Sequence, residues 1–300
     1  MRKFIAASPT LALTLALLLP MTIILAPAHA RAAPKAEVKT GLVEFEMMTW
    51  PEVKAALAAG KTTALFYTGG TEQRGPQDVN GGHTLMGKAT VKAIALKLGN
   101  AIAMPVLPYT PNNASAEFPG TIGLTNEILA ATLERLSEQA ITTGFKTVIL
   151  MGDHGDGQEP GPGNVYQAVA KKLDGKYAAK GIHVYYCDQV YAPANGDFDK
   201  YLASKGYPAS EHGGIPDTSE MLYLGGGAWV RKNLIAHALG DPVLPAGQKA
   251  DPNVPRINNG IDGDGRRSSA ELGKIFFDMK VDYAVKQIRS FPGAAPNSGQ

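Results

Sequence analysis

The chain has 300 residues, a formal net charge of +2, 44% hydrophobic and 19% charged residues, and a single cysteine. No Lys/Arg cluster of the kind that binds nucleic acid is present, and the lone Cys187 excludes an intrachain disulfide. Stability must come from a large hydrophobic core, which this length can build as one α/β domain or two smaller ones.

Residues 1–30 combine Arg2 and Lys3, an apolar stretch over 11–26 broken by Pro20, and the small-residue pattern Ala28-His29-Ala30. This predicts a cleaved export signal, because a membrane span needs about 18 or more apolar residues. The product is then periplasmic or secreted and has no membrane partner after cleavage. Without Arg2 and Lys3 the remaining basic and acidic residues balance, so no polyanionic partner is implied. A flexible leader is expected over 31–45, a single domain over 46–290 and a disordered tail over 291–300.

Strand and helix patterns then alternate. Residues 62–68 (TTALFYT) form an apolar run that stops at Gly69-Gly70, and residues 84–98 carry apolar residues at helical spacing. A strand is expected over 101–107 and an amphipathic helix over 126–143, ended by Gly144. Residues 146–151 (KTVILM) read as a strand buried on both faces of a parallel sheet. Further elements are a helix over 164–179, a strand over 182–187, and helices over 218–224 and 268–288. The Pro- and Gly-rich stretch 240–265 reads as a surface excursion. This rhythm predicts a three-layer α/β/α sandwich with a mainly parallel sheet.

In such a sheet, ligands collect beyond the carboxyl ends of the strands. Glu72, the loop 112–123 and the run Asp153-His154-Gly155-Asp156 each follow a predicted strand, so three polar loops should converge. Of the five histidines beyond residue 30, His83, His154 and His212 stand in Gly-rich loops beside acids, whereas His183 and His237 fall inside elements. Mixed imidazole and carboxylate donors suit zinc or manganese. No Gly-x-Ser-x-Gly elbow, phosphate loop or dinucleotide fingerprint is present. Cys187 lies in an apolar strand, where thiols are inert.

Several segments in this order resemble the creatininase (creatinine amidohydrolase) family: Thr71-Glu72-Gln73-x-Gly75-Pro76, Phe118-Pro119-Gly120-Thr121-Ile122, Gly152-Asp153-His154-Gly155, His212-Gly-Gly-x-x-Asp217-Thr-Ser219 and Gly263-Asp264-Gly265. The resemblance spans residues 46–290. It implies an α/β/α hydrolase that uses one or two divalent metals to open amide or cyclic amide bonds, acts on a small molecule and assembles as a homo-oligomer. The family pattern reads Glu-x-His-Gly, with an Asp about nine residues later and a His in an Asn-Gly-His loop. Here those positions hold Glu72, then Arg74 in place of the first His, His83 in place of the Asp, and Asp153 or, with one inserted residue, His154.

By this resemblance Glu72, His83, Asp153 and Asp217 are the metal-site residues, and His212, Arg74 and His154 the catalytic ones. His212 is then the general acid/base. A guanidinium cannot ligate a cation, so one ion per chain is expected. Arg74 would fill the second ion's place or grip substrate. Asp217 reads equally as an N-cap, since Asp-Thr-Ser opens an apolar helical run. The family's substrate-stacking tryptophans have no clear counterpart, because Trp50 and Trp229 are the only two here. The alternative function is an exported binding protein or inactive relative that keeps the pocket.

Overall fold

The computed structural model describes residues 41–112, 118–244, 248 and 251–294. The expected signal, most of the leader, residues 113–117 of the loop 112–123 and residues 295–300 lie outside them. Four strands, β1 (Thr63–Thr68), β2 (Ala101–Ala103), β3 (Thr147–Gly152) and β4 (His183–Tyr186), form one parallel sheet in the order β2-β1-β3-β4. The chain steps from β1 out to β2 and returns across β1 to β3. The β1/β3 crevice is therefore the topological switch point, where open α/β sheets bind ligands.

Seven α-helices lie among the described residues: α1 (Trp50–Ala58), α2 (Gly82–Leu98), α3 (Asn126–Thr143), α4 (Val165–Tyr177), α5 (Ala192–Ser204), α6 (Ile215–Leu224) and α7 (Ala270–Ser290). Side chains alternate across the strands and divide the core in two. Leu65, Tyr67, Ile149 and Met151 meet Val91 and Ile94 of α2 and Val281 and Ile288 of α7. Ala64, Phe66, Val148 and Leu150 meet Leu129 and Leu133 of α3 and Val169 and Leu173 of α4. This is the expected α/β/α sandwich. No helix among the described residues is long and apolar enough to cross a membrane.

The differences from the sequence reading have local causes. β2 stops at Ala103 because Pro105 has no N–H for the ladder, although Leu107 still donates to the Tyr67 carbonyl. α1 and α5 have no counterpart among the expected elements. α1 is a short Ala-rich helix opened by a Thr49/Glu52 capping box, and α5 carries Pro193 in its first turn and contains Gly196. Ordered packing starts before residue 46, since Val43 is buried and its carbonyl accepts from Ala103 N. It also passes residue 290, where Phe291 stacks on Tyr185 and Ala294 is buried.

Candidate metal centre

β1 ends against the start of α2. A Cβ on Gly69 would lie 2.6 Å from Thr84 Cα, and one on Gly70 would lie 3.2 Å from the His154 ring and 3.4 Å from the His83 ring. Two glycines thus let the chain leave the strand beneath both imidazoles. α2 begins at Gly82, so His83 sits in its first turn rather than in a loop.

The three loops meet at Glu72. Its Oε1 accepts from His83 Nε2 at 2.8 Å and from Arg74 Nη1 at 2.8 Å. Its Oε2 accepts from His154 Nε2 and from Asn112 Nδ2, each at 2.9 Å. Burial alone would raise the Glu72 pKa. Hydrogen bonds from His154 and His83 and the charges of His83 and Arg74 outweigh it and hold the carboxyl well below the usual range.

Glu72, His83 and His154 are buried and each offers a donor atom within 4.8 Å of the others. Two imidazoles and a carboxylate suit a zinc-type ion with an open position. His83 has an acceptor on each side, Glu72 at Nε2 and Asp153 Oδ2 at Nδ1 (3.3 Å). These bonds raise its pKa, against burial and the Arg74 charge, which lower it. A cation beside Glu72 would take the Nε2 lone pair and leave Nδ1–H on Asp153, the tautomer a ligating histidine needs.

His154 is held differently. Its Nδ1 accepts from the Asp156 backbone N–H at 3.1 Å, which keeps the neutral ring's proton on Nε2. Ligation would move that proton to Nδ1 and forfeit one hydrogen bond of about 1 kcal/mol. That is small against the roughly 10 kcal/mol a zinc site can supply, so the donor set fits one ion.

Asp153 and Asp217 stand apart from this cluster. Asp153 Oδ1 pairs with Lys280 and accepts from Tyr67 Oη at 3.1 Å, while Oδ2 faces His83. Burial opposes its ionisation, but the Lys280 charge and the His83 hydrogen bond keep its pKa low. Asp217 lies in the first turn of α6. Its Oδ2 accepts from Gly213 N at 2.8 Å in a cap-like bond, and Oδ1 forms an ion pair with Arg74 Nη2. The Arg74 charge lowers the Asp217 pKa against burial.

Arg74 itself is fully buried, and its stem crosses Gly82, where a Cβ would lie 2.9 Å from Arg74 Cδ. Burial opposes its charge, yet Asp217, Glu72 and Asp78 raise its pKa. His212 Nε2 lies 2.8 Å from the Gln73 carbonyl, which fixes it as a donor, although the Gln73 amide nitrogen is also 3.0 Å away. Its Nδ1 lies 3.6 Å from Glu72 Oε1.

The sequence reading passed over Lys280 and Glu220. Lys280 continues the stripe Phe276, Ala284, Ile288 on α7, and a lysine on an otherwise apolar helix face was the available signal. Glu72, Arg74, His83, Asp153, His154, His212, Asp217, Glu220 and Lys280 line a cavity of about 640 Å³, together with Phe118, Tyr191, Asp199, Glu211 and Arg256. The excursion 240–265 is tied back at its base, where Ile261 is buried and Asp241 accepts from the Ile257 N–H at 2.8 Å.

A family profile described as creatininase, creatinine amidohydrolase, matches residues 46–288. The creatinine amidohydrolase of Pseudomonas putida is 27% identical over 189 residues, 59% of this chain and 70% of that protein. A solved structure named Creatininase Mn matches with a TM-score of 0.66 at 24% identity, over 83% of this chain and 99% of the other. A creatininase mutant of Zn-Zn type matches with a TM-score of 0.64 at 24% identity, over 83% and 98%.

Proposed function

This chain belongs to the creatininase family, and from that premise we propose that it is a one-metal amidohydrolase acting on a small non-peptide amide or cyclic amide. The observation that carries the reading is the buried donor set of Glu72, His83 and His154 at the sheet's switch point. A zinc or manganese ion bound there would supply carbonyl polarisation and a more acidic water at neutral pH. Related structures are named for manganese and for a zinc pair.

Glu72 contributes the carboxylate, and Asn112 holds its second oxygen. Arg74 takes the place of a second cation, since its guanidinium already occupies the space between Glu72 and Asp217. In the hydrolysis, water oxygen joins the carbonyl carbon, the C–N bond breaks and a proton passes to the leaving nitrogen. His212 is suited to carry that proton, because its Nδ1 faces Glu72 and the Gln73 carbonyl holds its other nitrogen.

A related mutant is described as a complex with creatine. The substrate here is proposed to differ from creatinine, because neither tryptophan lines the cavity. Trp50 is exposed on α1, and Trp229 packs against Met86, Met221 and Val230. Export and self-association belong to the same proposal, the first resting on the pattern of residues 1–30 and the second on family resemblance alone.

The test is metal analysis of protein purified without added ions, alongside a screen of small lactams and cyclic amides for release of amine and carboxylate. Bound metal with turnover, both lost in Glu72→Gln, is the expected result. A cavity that captures a small molecule without metal would replace the hydrolase by a binding protein.

A further inference from the structure

Lys280 is a cation with almost no exposure, placed on the face of α7 that packs against the sheet. A buried ammonium is tolerated only when paired and hydrogen-bonded. It bonds Glu220 Oε2 of α6 at 3.0 Å and forms a close ion pair with Asp153 Oδ1 beyond β3. The reach depends on Gly273, where a Cβ would lie 2.8 Å from Glu220 N, so α7 can lie directly on α6. Ser219 Oγ accepts from Ser269 N at 3.1 Å and fastens the same crossing.

Lys280 and Tyr67 together grip Asp153 Oδ1, so the carboxylate cannot rotate, and Oδ2 is left facing His83 Nδ1. The His83 ring is thereby fixed with Nε2 toward Glu72. We infer that Lys280 is a positioning residue for the proposed metal site, acting through Asp153 to orient His83. The inference rests on the reading of Glu72, His83 and His154 as the ion's holders. It adds that a side chain on α7, three contacts away from that ion, sets the affinity. A lysine that merely balanced the buried Asp153 charge would leave the zinc affinity unchanged wherever the protein still folds.

The experiment compares the unaltered protein with Lys280→Met, with Asp153→Asn and with Lys280→Met/Asp153→Asn/Glu220→Gln. Zinc dissociation constants come from chelator competition, and metal-free stability from urea unfolding. Lys280→Met is expected to be unstable, because Asp153 and Glu220 lose their shared cation, and the triple variant, in which all three charges are gone, to recover stability. Each should bind zinc about 10–100-fold more weakly, the usual cost of losing a partner behind a ligating histidine, and the triple variant no more weakly than Asp153→Asn, because the lysine acts through that carboxylate. A folded Lys280→Met that binds zinc as tightly as the unaltered protein would overturn the inference.

If Lys280→Met does not fold, nitrogen NMR of the zinc-loaded unaltered protein decides. His83 should be ligated through Nε2 and carry a hydrogen-bonded Nδ1 proton, and ligation through Nδ1 would overturn the inference. Unaltered protein that binds no zinc would instead overturn the functional reading, and with it the inference that rests on that reading.

Discussion

Arg74→Met is the most informative perturbation of the site. Methionine keeps part of the stem that crosses Gly82 but removes a guanidinium with no solvent exposure. Glu72, 2.8 Å away, and Asp217 lose their shared cation, and Asp78 loses a nearby one. Removing one partner of a buried ion pair costs about 3–5 kcal/mol, because the abandoned charge cannot reach water. In a domain of this size that corresponds to a melting point roughly 6–20 °C lower.

The assay is urea and thermal unfolding in chelator, repeated with zinc. The gap should narrow with zinc, since a cation beside Glu72 replaces part of the lost charge and a ligand at a thousandfold excess over its Kd adds about 4 kcal/mol. It should also depend on pH. Glu72 and Asp217 have depressed folded pKa values, so their stabilisation is present above the unfolded value near 4 and is lost as pH falls through the folded values. The unaltered protein's advantage is therefore largest near neutrality and shrinks in acid. A loss below about 1 kcal/mol in chelator, the range of exposed ion pairs, would refute the role given to Arg74.

Other perturbations probe separate links. His212→Ala should lower turnover about 10²–10⁴-fold, the usual share of general acid–base catalysis. Zinc affinity measured by chelator competition should stay unchanged, because His212 is outside the donor cluster. Gly69→Ala forces a Cβ onto the Thr84 backbone, so urea unfolding should register a loss of about 1–3 kcal/mol. Asp78 has its pKa pushed up to about 7 by burial, against hydrogen bonds from Thr218 and Gln77 and the Arg74 charge. Between its unfolded value near 4 and that folded value the native state holds a proton the unfolded chain has lost, so stability falls as pH rises. Asp78→Asn should remove that slope in unfolding titrations, and a difference from the unaltered protein that is constant with pH would contradict it.

The sheet was legible because its central strands are continuous apolar runs, TTALFYT and KTVILM, that leave no alternative but burial on both faces. α3 was legible to the residue, since Thr125 caps one end and Gly144 closes the other. Convergence on Glu72 followed from parallel topology alone. The choice between Asp153 and His154 did not, because neighbouring residues at a strand end point to opposite sides. In the structure Asp153 continues the Ile149, Met151 face toward α7, and His154 turns to Glu72. That period-two reasoning was available from sequence. Lys280 was harder, because its role exists only where α7 crosses α6, a contact between elements about fifty residues apart. Arg74 was recognisable as a departure from the family pattern, but its double pairing with Glu72 and Asp217 required the fold.

The central claim is one cation at Glu72, His83 and His154, with Arg74 standing where a second would lie. Anomalous scattering from crystals grown with zinc counts the ions and identifies their donors in one experiment. One site per chain, within bonding distance of those three side chains and with Arg74 still against Glu72, is the predicted result. Two ions per chain, or one held away from Glu72, would contradict it.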